Sequence, residues 1–227
     1  MHALPHSYTG QLQDGNALSV SVERGLISQI TPIVGDKALP YLLPVLVDLQ
    51  HNGALGHSFT EADRCGKTGL REVATLLRRH GVGRCLPTLI TASADALARS
   101  VAGFDAALRD DADLERIYRG LFHEGVYISP QDGWRGVHDL RWVAPPGATA
   151  LAELDTLSGN RIRIVNVAPE EPGGLDFIRQ AVDAGKTVSL GHCNPDAATV
   201  HRAADAGASM VTHFGNGAAS PLPRFDN

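Results

Sequence analysis

From residue 42 onward, short apolar runs alternate with longer segments in which apolar residues recur every three or four positions. The apolar runs predict six strands, near 42–50, 82–90, 117–122, 161–168, 187–190 and 209–212. The longer segments predict five helices, near 69–80, 95–109, 149–157, 175–184 and 196–206. Regular alternation of strands and helices is typical of a parallel sheet covered by helices, so we predict an α/β domain.

The first predicted strand has the most continuous apolar pattern in the chain. Its sequence, LLPVLVDLQ at 42–50, contains a single charged residue. Strands of parallel sheets that are covered on both faces have near-continuous apolar sequences of this kind. We therefore predict that this strand is buried on both of its faces.

Residues 1–41 follow a different pattern from the rest of the chain. Apolar and polar residues alternate at 17–22 and, more loosely, at 26–33, and Asp14-Gly15 and Arg24-Gly25 are turn signals. This pattern predicts a small antiparallel β element at 1–41, part of a sandwich-like subdomain, placed ahead of the α/β domain at 42–227.

The six strands fit either an open doubly wound sheet or a (β/α)8 TIM-type barrel. Polar side chains follow most of the strands, and in a barrel all of these strand ends converge on one mouth. An open sheet would instead concentrate its ligand groups at one switch point. We therefore predict the barrel, with about six of its eight strands in this sequence and the C-terminal strands expected beyond Asn227.

Two histidines occupy equivalent positions in one predicted strand–helix–strand unit. His192 follows strand 187–190 and His213 follows strand 209–212, so both imidazoles should emerge on the same rim. Glu124 follows another strand, and two imidazoles with one carboxylate leave a fourth tetrahedral position, as in a catalytic zinc site. A metal there would acidify a water and polarise a carbonyl. The alternative is that each histidine is a hydrogen-bonded structural group.

Composition narrows the classes of function. A net charge of −5 and the lack of a Lys/Arg run argue against a nucleic-acid-binding surface. The three cysteines form no C-x-x-C pair, and we interpret them as free thiols of a cytoplasmic protein. Residues 1–20 lack the pattern of a signal peptide, and no apolar run is long enough to cross a bilayer, so no membrane association is expected.

Five sequence blocks, in this order, resemble those of the N-acetylglucosamine-6-phosphate deacetylase family of the amidohydrolase superfamily. The blocks are VDLQHNGALGHSF (47–59), GVGRCLPTLIT (81–91), GLFHEGVYISP (120–130), NVAPE (166–170) and VSLGHCNPDAATVHRAADAGASMVTHFGNGA (188–218). The resemblance implies a metal-dependent hydrolase that deacetylates N-acetylglucosamine-6-phosphate to glucosamine-6-phosphate and acetate. It also implies one bound Zn²⁺ and a homodimer, with the amino-sugar phosphate as the small-molecule partner.

The resemblance assigns metal ligands residue by residue. Glu124, His192 and His213 match the family's catalytic metal ligands. Gln50 and Asn52 fall where some members have a His-x-His pair that binds a second metal. Because an amide is a much weaker metal donor than an imidazole, we interpret these two residues as a vestigial second-metal position.

The resemblance also assigns substrate contacts. His138 matches a family histidine that contacts the acyl carbonyl of the substrate, and Asn216 with Gly217 matches a pair that binds the sugar phosphate. Arg224 falls where the family has a phosphate-binding arginine, a role suited to a forked and permanently charged donor; the alternative for Arg224 is a surface residue of a Pro-rich loop. The general-base Asp of the family is expected beyond Asn227.

Two other interpretations of the chain stay open at this point. One is an amidohydrolase that acts on a different N-acyl or cyclic amide. The other is a non-catalytic metal-binding or sugar-binding relative, or a fragment without turnover, because the strand that carries the catalytic Asp of the family is not found in this sequence.

Overall fold

A computed structural model describes residues 6–34 and 38–216. The chain divides into two compact units, Met1–Val45 and Leu46–Asn227. The division into separate domains at 1–41 and 42–227, which the sequence pattern indicates, stays a prediction.

The first unit contains a three-stranded antiparallel sheet in the order β1-β2-β3. Its strands are β1 (His6–Gln11), β2 (Ala17–Glu23) and β3 (Leu26–Ile33). The predicted β element is present, and β1 is an additional strand that the alternation pattern did not indicate. Asp14 begins the first turn, where its side chain accepts a hydrogen bond from the backbone N–H of Asn16 at 3.0 Å.

The second unit is an α/β structure in which six parallel strands form one curled sheet. The sheet has the order β11-β10-β9-β8-β7-β4, with strands β4 (Leu46–His51), β7 (Val82–Leu89), β8 (Leu121–His123), β9 (Ile162–Val167), β10 (Thr187–Leu190) and β11 (Met210–Val211). A small hairpin, β5 (Gly53–Ala54) with β6 (His57–Ser58), follows β4. The helices are α1 (Ala62–Arg79), α2 (Ala94–Arg109), α3 (Ala112–Ile117), α4 (Ala148–Leu157), α5 (Gly174–Asp183) and α6 (Ala197–Asp205).

The two faces of this sheet have different chemistry. On the face toward the helices, side chains such as Leu121, Val165 and Val188 join one large buried apolar cluster. The opposite face carries a separate, smaller apolar cluster of Leu86, Phe122 and Ile164, with Met210 packed against it. Successive side chains of a strand point to opposite faces, so β7, β8 and β9 each supply residues to both clusters.

Two predictions about individual strands were wrong. Ile117 was assigned to a strand at 117–122, but it ends α3, a sixth helix, and the strand that follows is Leu121–His123. Asp111 caps α3, because its side chain accepts hydrogen bonds from the backbone N–H groups of Asp113 and Leu114. The cap stabilises a helix where the apolar letters alone indicated a strand.

The prediction that the first strand is buried on both faces was also wrong. β4 pairs with β7 on one side only and lies at one end of the sheet order. Leu46, Val47 and Leu49 are 57%, 59% and 46% exposed. An apolar sequence specifies which side chains favour burial, but neighbouring elements must provide the cover.

Among the helices in the described part of the chain, none combines the length and the apolar character that crossing a membrane requires.

Candidate metal centre

Three side chains that the sequence predicts as ligands converge at the carboxyl ends of the strands. Glu124 follows β8, His192 follows β10 and His213 follows β11, and their donor atoms all lie within 4.8 Å of one another. Glu124 Oε1 is 3.2 Å from His192 Nε2 and 2.7 Å from His213 Nε2. Glu124 and His192 are buried, whereas His213 is partly exposed. Of the three side chains, His213 is therefore the one most accessible to solvent.

The hydrogen bond on the far side of His192 determines which ring nitrogen is available. His192 Nδ1 is 3.1 Å from the carbonyl oxygen of Trp134. A carbonyl only accepts, so Nδ1 carries the proton of the neutral ring and Nε2 carries the lone pair. In that neutral tautomer the lone pair faces the carboxylate of Glu124 at 3.2 Å, a contact that a proton or a metal cation between the two atoms would make favourable. A backbone carbonyl that accepts from one ring nitrogen commonly fixes a metal-binding histidine in this tautomer.

The backbone at the two histidines is unusual. His192 and His213 have φ of 50° and 54°, in the left-handed region that non-glycine residues seldom occupy. Such conformations cost on the order of 1–3 kcal/mol each and cluster at functional sites. At both strand ends the chain therefore changes direction at the histidine that is the predicted ligand.

Gly125 and Gly191 permit close approach around the cluster. A Cβ at Gly125 would lie 2.2 Å from Thr91 Oγ1 and 2.8 Å from His138 Nδ1. A Cβ at Gly191 would lie 2.1 Å from Thr212 Cγ2. Side chains at these two positions would push apart the groups that surround the three donors.

Gln50 links three strands at the mouth of the sheet. Its Nε2 donates to Glu124 Oε1 at 2.8 Å, and its Oε1 accepts a hydrogen bond from Thr212 Oγ1. β4 and β11 are the two ends of the sheet order, so this contact shows that the sheet curls until its end strands meet through one side chain. Gln50 was predicted as a vestigial second-metal position; its contacts hold the carboxylate of Glu124 in place.

His138 lies against the cluster from the loop that follows β8. Its Nδ1 is 2.7 Å from Thr91 Oγ1 and receives a longer contact, 3.4 Å, from the backbone N–H of Thr91. Its Nε2 is 3.2 Å from His192 Nε2. Because the backbone N–H of Thr91 can only donate, Nδ1 acts as the acceptor, and Nε2 carries the proton toward the cluster.

Burial and hydrogen bonding set the charge states at the cluster. Burial raises the pKa of the Glu124 carboxyl, but its contacts with the His192 and His213 rings outweigh burial, and the net effect lowers that pKa. Burial, reinforced by the nearby His192, lowers the pKa of His138 to about 4. At neutral pH the site therefore contains a carboxylate and a neutral His138.

The other predicted site residues are exposed or lie outside the described residues. Asn52 is exposed, and its backbone carbonyl accepts from the backbone N–H of Phe59. Asn216 is exposed, and its backbone N–H donates to the carbonyl of His213 at 2.7 Å. Gly217 and Arg224 lie outside the described residues.

Sequence reasoning missed the groups that orient the predicted ligands. Trp134 orients His192 through its backbone carbonyl, a contact that side-chain identity cannot reveal. Thr91 is one of the polar side chains that follow the predicted strands, and Thr212, a buried hydroxyl at the end of another apolar strand, could have been found in the same way. The strand-end position that selected Glu124 applies equally to these two residues.

A divalent cation fits the donor set. Two imidazole nitrogens and a carboxylate oxygen are typical zinc donors, and three protein ligands with an open fourth position are typical of catalytic sites. The Nε2 lone pair of His192 facing the Glu124 carboxylate provides an observation for the fit that is independent of residue type.

Comparisons with known proteins give a consistent result. No protein-family model matches the chain. The chain is 28% identical over 221 residues to the N-acetylglucosamine-6-phosphate deacetylase of Bacillus subtilis. The aligned residues cover 96% of this chain and 54% of that protein. It is 30% identical over 203 residues to the Vibrio furnissii protein of the same name, covering 86% of this chain and 49% of that protein.

A solved structure extends the comparison to the fold. The crystal structure of N-acetyl-D-glucosamine-6-phosphate deacetylase from Mycobacterium smegmatis matches with a TM-score of 0.78 and 25% identity, over 92% of this chain and 54% of that chain. The chain therefore spans about half the length of the proteins that it matches. The resemblance to the N-acetylglucosamine-6-phosphate deacetylase family that five sequence blocks indicated is confirmed over most of this chain.

Proposed function

We propose that this protein acts in a metal-dependent amide hydrolysis that converts N-acetylglucosamine-6-phosphate to glucosamine-6-phosphate and acetate. The observation that carries the proposal is the convergence of Glu124, His192 and His213 within 4.8 Å, in a chain similar to proteins named for this deacetylation. We further propose that the curled six-stranded sheet is part of a (β/α)8 barrel. The hydrogen bond between Gln50 of β4 and Thr212, which follows β11, supports this closure.

The proposed metal is one Zn²⁺ held by Glu124, His192 and His213. When bound, zinc supplies Lewis acidity toward a carbonyl oxygen and lowers the pKa of water. The donor set supports zinc, since imidazole and carboxylate in a three-ligand site with one open position are its usual catalytic arrangement. Gln50 holds the carboxylate oxygen that both histidines approach.

His138 is the proposed contact to the acyl oxygen of the substrate. Its neutral ring keeps Nε2–H directed at the cluster, where it can donate to an oxygen that gains negative charge as the amide carbon is attacked. The hydroxyl and backbone N–H of Thr91 hold the ring from behind. The family resemblance assigns proton transfer to the leaving amine to an Asp for which no counterpart is identified in this sequence.

Recognition of the sugar phosphate is proposed for Asn216, Gly217 and Arg224. The guanidinium of Arg224 would pair with the phosphate through two parallel hydrogen bonds. We also propose a cytoplasmic protein, consistent with three free thiols, that binds neither nucleic acid nor membrane and forms a homodimer, as the family resemblance implies.

The test combines metal analysis with a substrate panel. Purified protein should contain close to one zinc per chain, and zinc binding should be lost on chelation. Acetate release should be measured with N-acetylglucosamine with and without the 6-phosphate, beside a cyclic amide, each with added zinc. Binding of zinc together with preference for the phosphorylated sugar supports the proposal.

Two outcomes would contradict it. A folded protein that retains no divalent metal removes the catalytic centre. A metal-loaded protein that binds neither phosphorylated sugar nor its deacetylated product, measured by calorimetry, removes the substrate assignment. Turnover of the cyclic amide alone would assign the chain to a different amidohydrolase reaction.

A further inference from the structure

A second cavity lies on the helix-covered side of the sheet, away from the metal centre. It has a volume of about 510 Å³, within the roughly 300–1,000 Å³ usual for small-molecule pockets. The cavity lies between α2, α4 and the segment 141–147. Its apolar walls include Leu97, Tyr127, Trp142, Leu154 and Leu157.

His123 brings a buried polar group to the wall of this cavity. The imidazole lines the cavity and is 1% exposed, and its Nδ1 has no hydrogen-bond partner among the residues that the structure describes. Tyr127 packs edge-on against the ring, with centroids 5.5 Å apart, but its hydroxyl donates to the carbonyl of Gly147. A buried polar atom without a partner is costly and rare in native proteins, so His123 indicates a missing partner.

The charges at the edge of the cavity disfavour anions. Asp95 and Glu153 both line it, and both carry negative charge at neutral pH. Arg141 also lines it, but its guanidinium is already paired with the carboxylate of Asp139. A carboxylate or phosphate ligand would therefore meet more negative than available positive charge.

We propose that this cavity is a binding site for a neutral aromatic molecule that carries one hydroxyl group, a ligand of the phenol class. The aromatic ring packs among Tyr127, Trp142 and Leu154, and the hydroxyl pairs with the imidazole of His123. A hydroxyl both donates and accepts, so it satisfies either tautomer of the histidine. The proposal is independent of the proposed hydrolysis, because His123 and Glu124 point to opposite faces of the sheet.

The test uses phenol and toluene as probes of the intact protein. Addition of phenol should shift the indole N–H signal of Trp142 in a nuclear magnetic resonance titration. The only other tryptophan, Trp134, does not line the cavity and should not respond in parallel. Toluene has the same ring without the hydroxyl and measures the apolar contribution alone.

Two variants separate the hydrogen bond from the cavity. His123→Phe keeps an aromatic ring and should weaken phenol binding about tenfold, the usual size of one lost hydrogen bond, while it leaves toluene binding unchanged. Ala98→Phe, on α2 at the wall of the cavity, should abolish binding of both probes. Ala106→Phe is the matched control, because Ala106 lies exposed on the same helix and does not line the cavity.

The possible results decide the matter. Binding of both probes that Ala98→Phe abolishes and Ala106→Phe preserves, with the selective loss of phenol in the His123→Phe variant, supports the site. The inference is overturned if 20 mM phenol leaves the Trp142 signal unmoved. It is equally overturned if Ala98→Phe binds phenol as well as the parent, or if both probes weaken alike in the His123→Phe variant.

Discussion

His123 and Glu124 are neighbours in the chain, yet they occupy opposite chemical environments. Both are almost fully buried, at 1% and 2% exposure. His123 faces the helices, where burial without a partner lowers its pKa to about 4. Glu124 faces the curled interior of the sheet, where Gln50, His192 and His213 all contact one carboxylate oxygen and the pKa is lowered, so that the carboxyl stays charged.

The difference teaches that burial alone does not determine the charge of a side chain. Partners decide the outcome: an isolated imidazole becomes neutral, whereas a carboxylate with several donors stays charged. Because side chains alternate between the faces of a strand, one residue of separation is enough to move from one environment to the other.

The largest effect is expected from Glu124→Gln. This change keeps the shape of the side chain but removes its negative charge, so zinc affinity should fall by more than about 100-fold, beyond the usual loss from an outer-shell partner. Titration with a competing chelator measures the affinity. His123→Phe is the matched control and should bind zinc like the parent. Equal zinc binding in Glu124→Gln and the parent protein would refute the assigned role of Glu124.

A smaller effect is expected on the pH dependence of stability. The folded pKa of His123, about 4, lies below the unfolded value of 6.5, so its contribution is complete above pH 6.5 and decreases as the pH falls toward 4. Between pH 7 and 4.5 the parent should lose roughly 2–3 kcal/mol more unfolding free energy than the His123→Phe variant. Urea unfolding at both pH values measures this difference. Parallel pH profiles for the two proteins would contradict it.

Gln50→Leu should weaken zinc binding by about 10–100-fold, because the carboxylate of Glu124 loses the amide that orients it. The same chelator competition measures the effect. Asn52→Leu is the control, since Asn52 is exposed at the end of the same strand. If both substitutions change zinc affinity equally, the link between Gln50 and Glu124 does not contribute to binding.

The smallest effect is expected where a strand of the sheet lacks cover. Val47 in β4 is 59% exposed, so Val47→Ala should change the unfolding free energy by no more than about 0.5 kcal/mol. Val165 in β9 is fully buried, and the same substitution there should cost roughly 2 kcal/mol. Thermal and urea unfolding measure both. A similar cost at the two positions would show that β4 is covered in solution.

Much of the fold and of the candidate site could be predicted from the sequence because both depend on periodicity. Apolar runs separated by helical segments indicated the parallel sheet. Polar residues one or two positions after three of these runs indicated the site, namely Glu124, His192 and His213. Ile117 was assigned wrongly because an apolar residue before a strand looks like part of it, although Asp111 already carried the signal for a helix start. The exposure of Val47 could not be predicted, because cover depends on neighbours that the strand's own letters do not specify.

The finer contacts of the site were beyond pattern reasoning for a different reason. Gln50 and Thr212 are 162 positions apart and meet only because the sheet curls. The backbone carbonyl of Trp134 has the same chemistry as every other carbonyl, so its position alone makes it important to His192. Contacts of this kind depend on three-dimensional closure rather than on local sequence.

The side chain of Gln50 also ties the width of the mouth to the strength of the donor set. From β4 it hydrogen-bonds to Thr212, which follows β11, and to the carboxylate of Glu124 between these two end strands. A displacement of either end strand would move that carboxylate. Motion of the sheet and affinity for a cation are therefore coupled in this architecture.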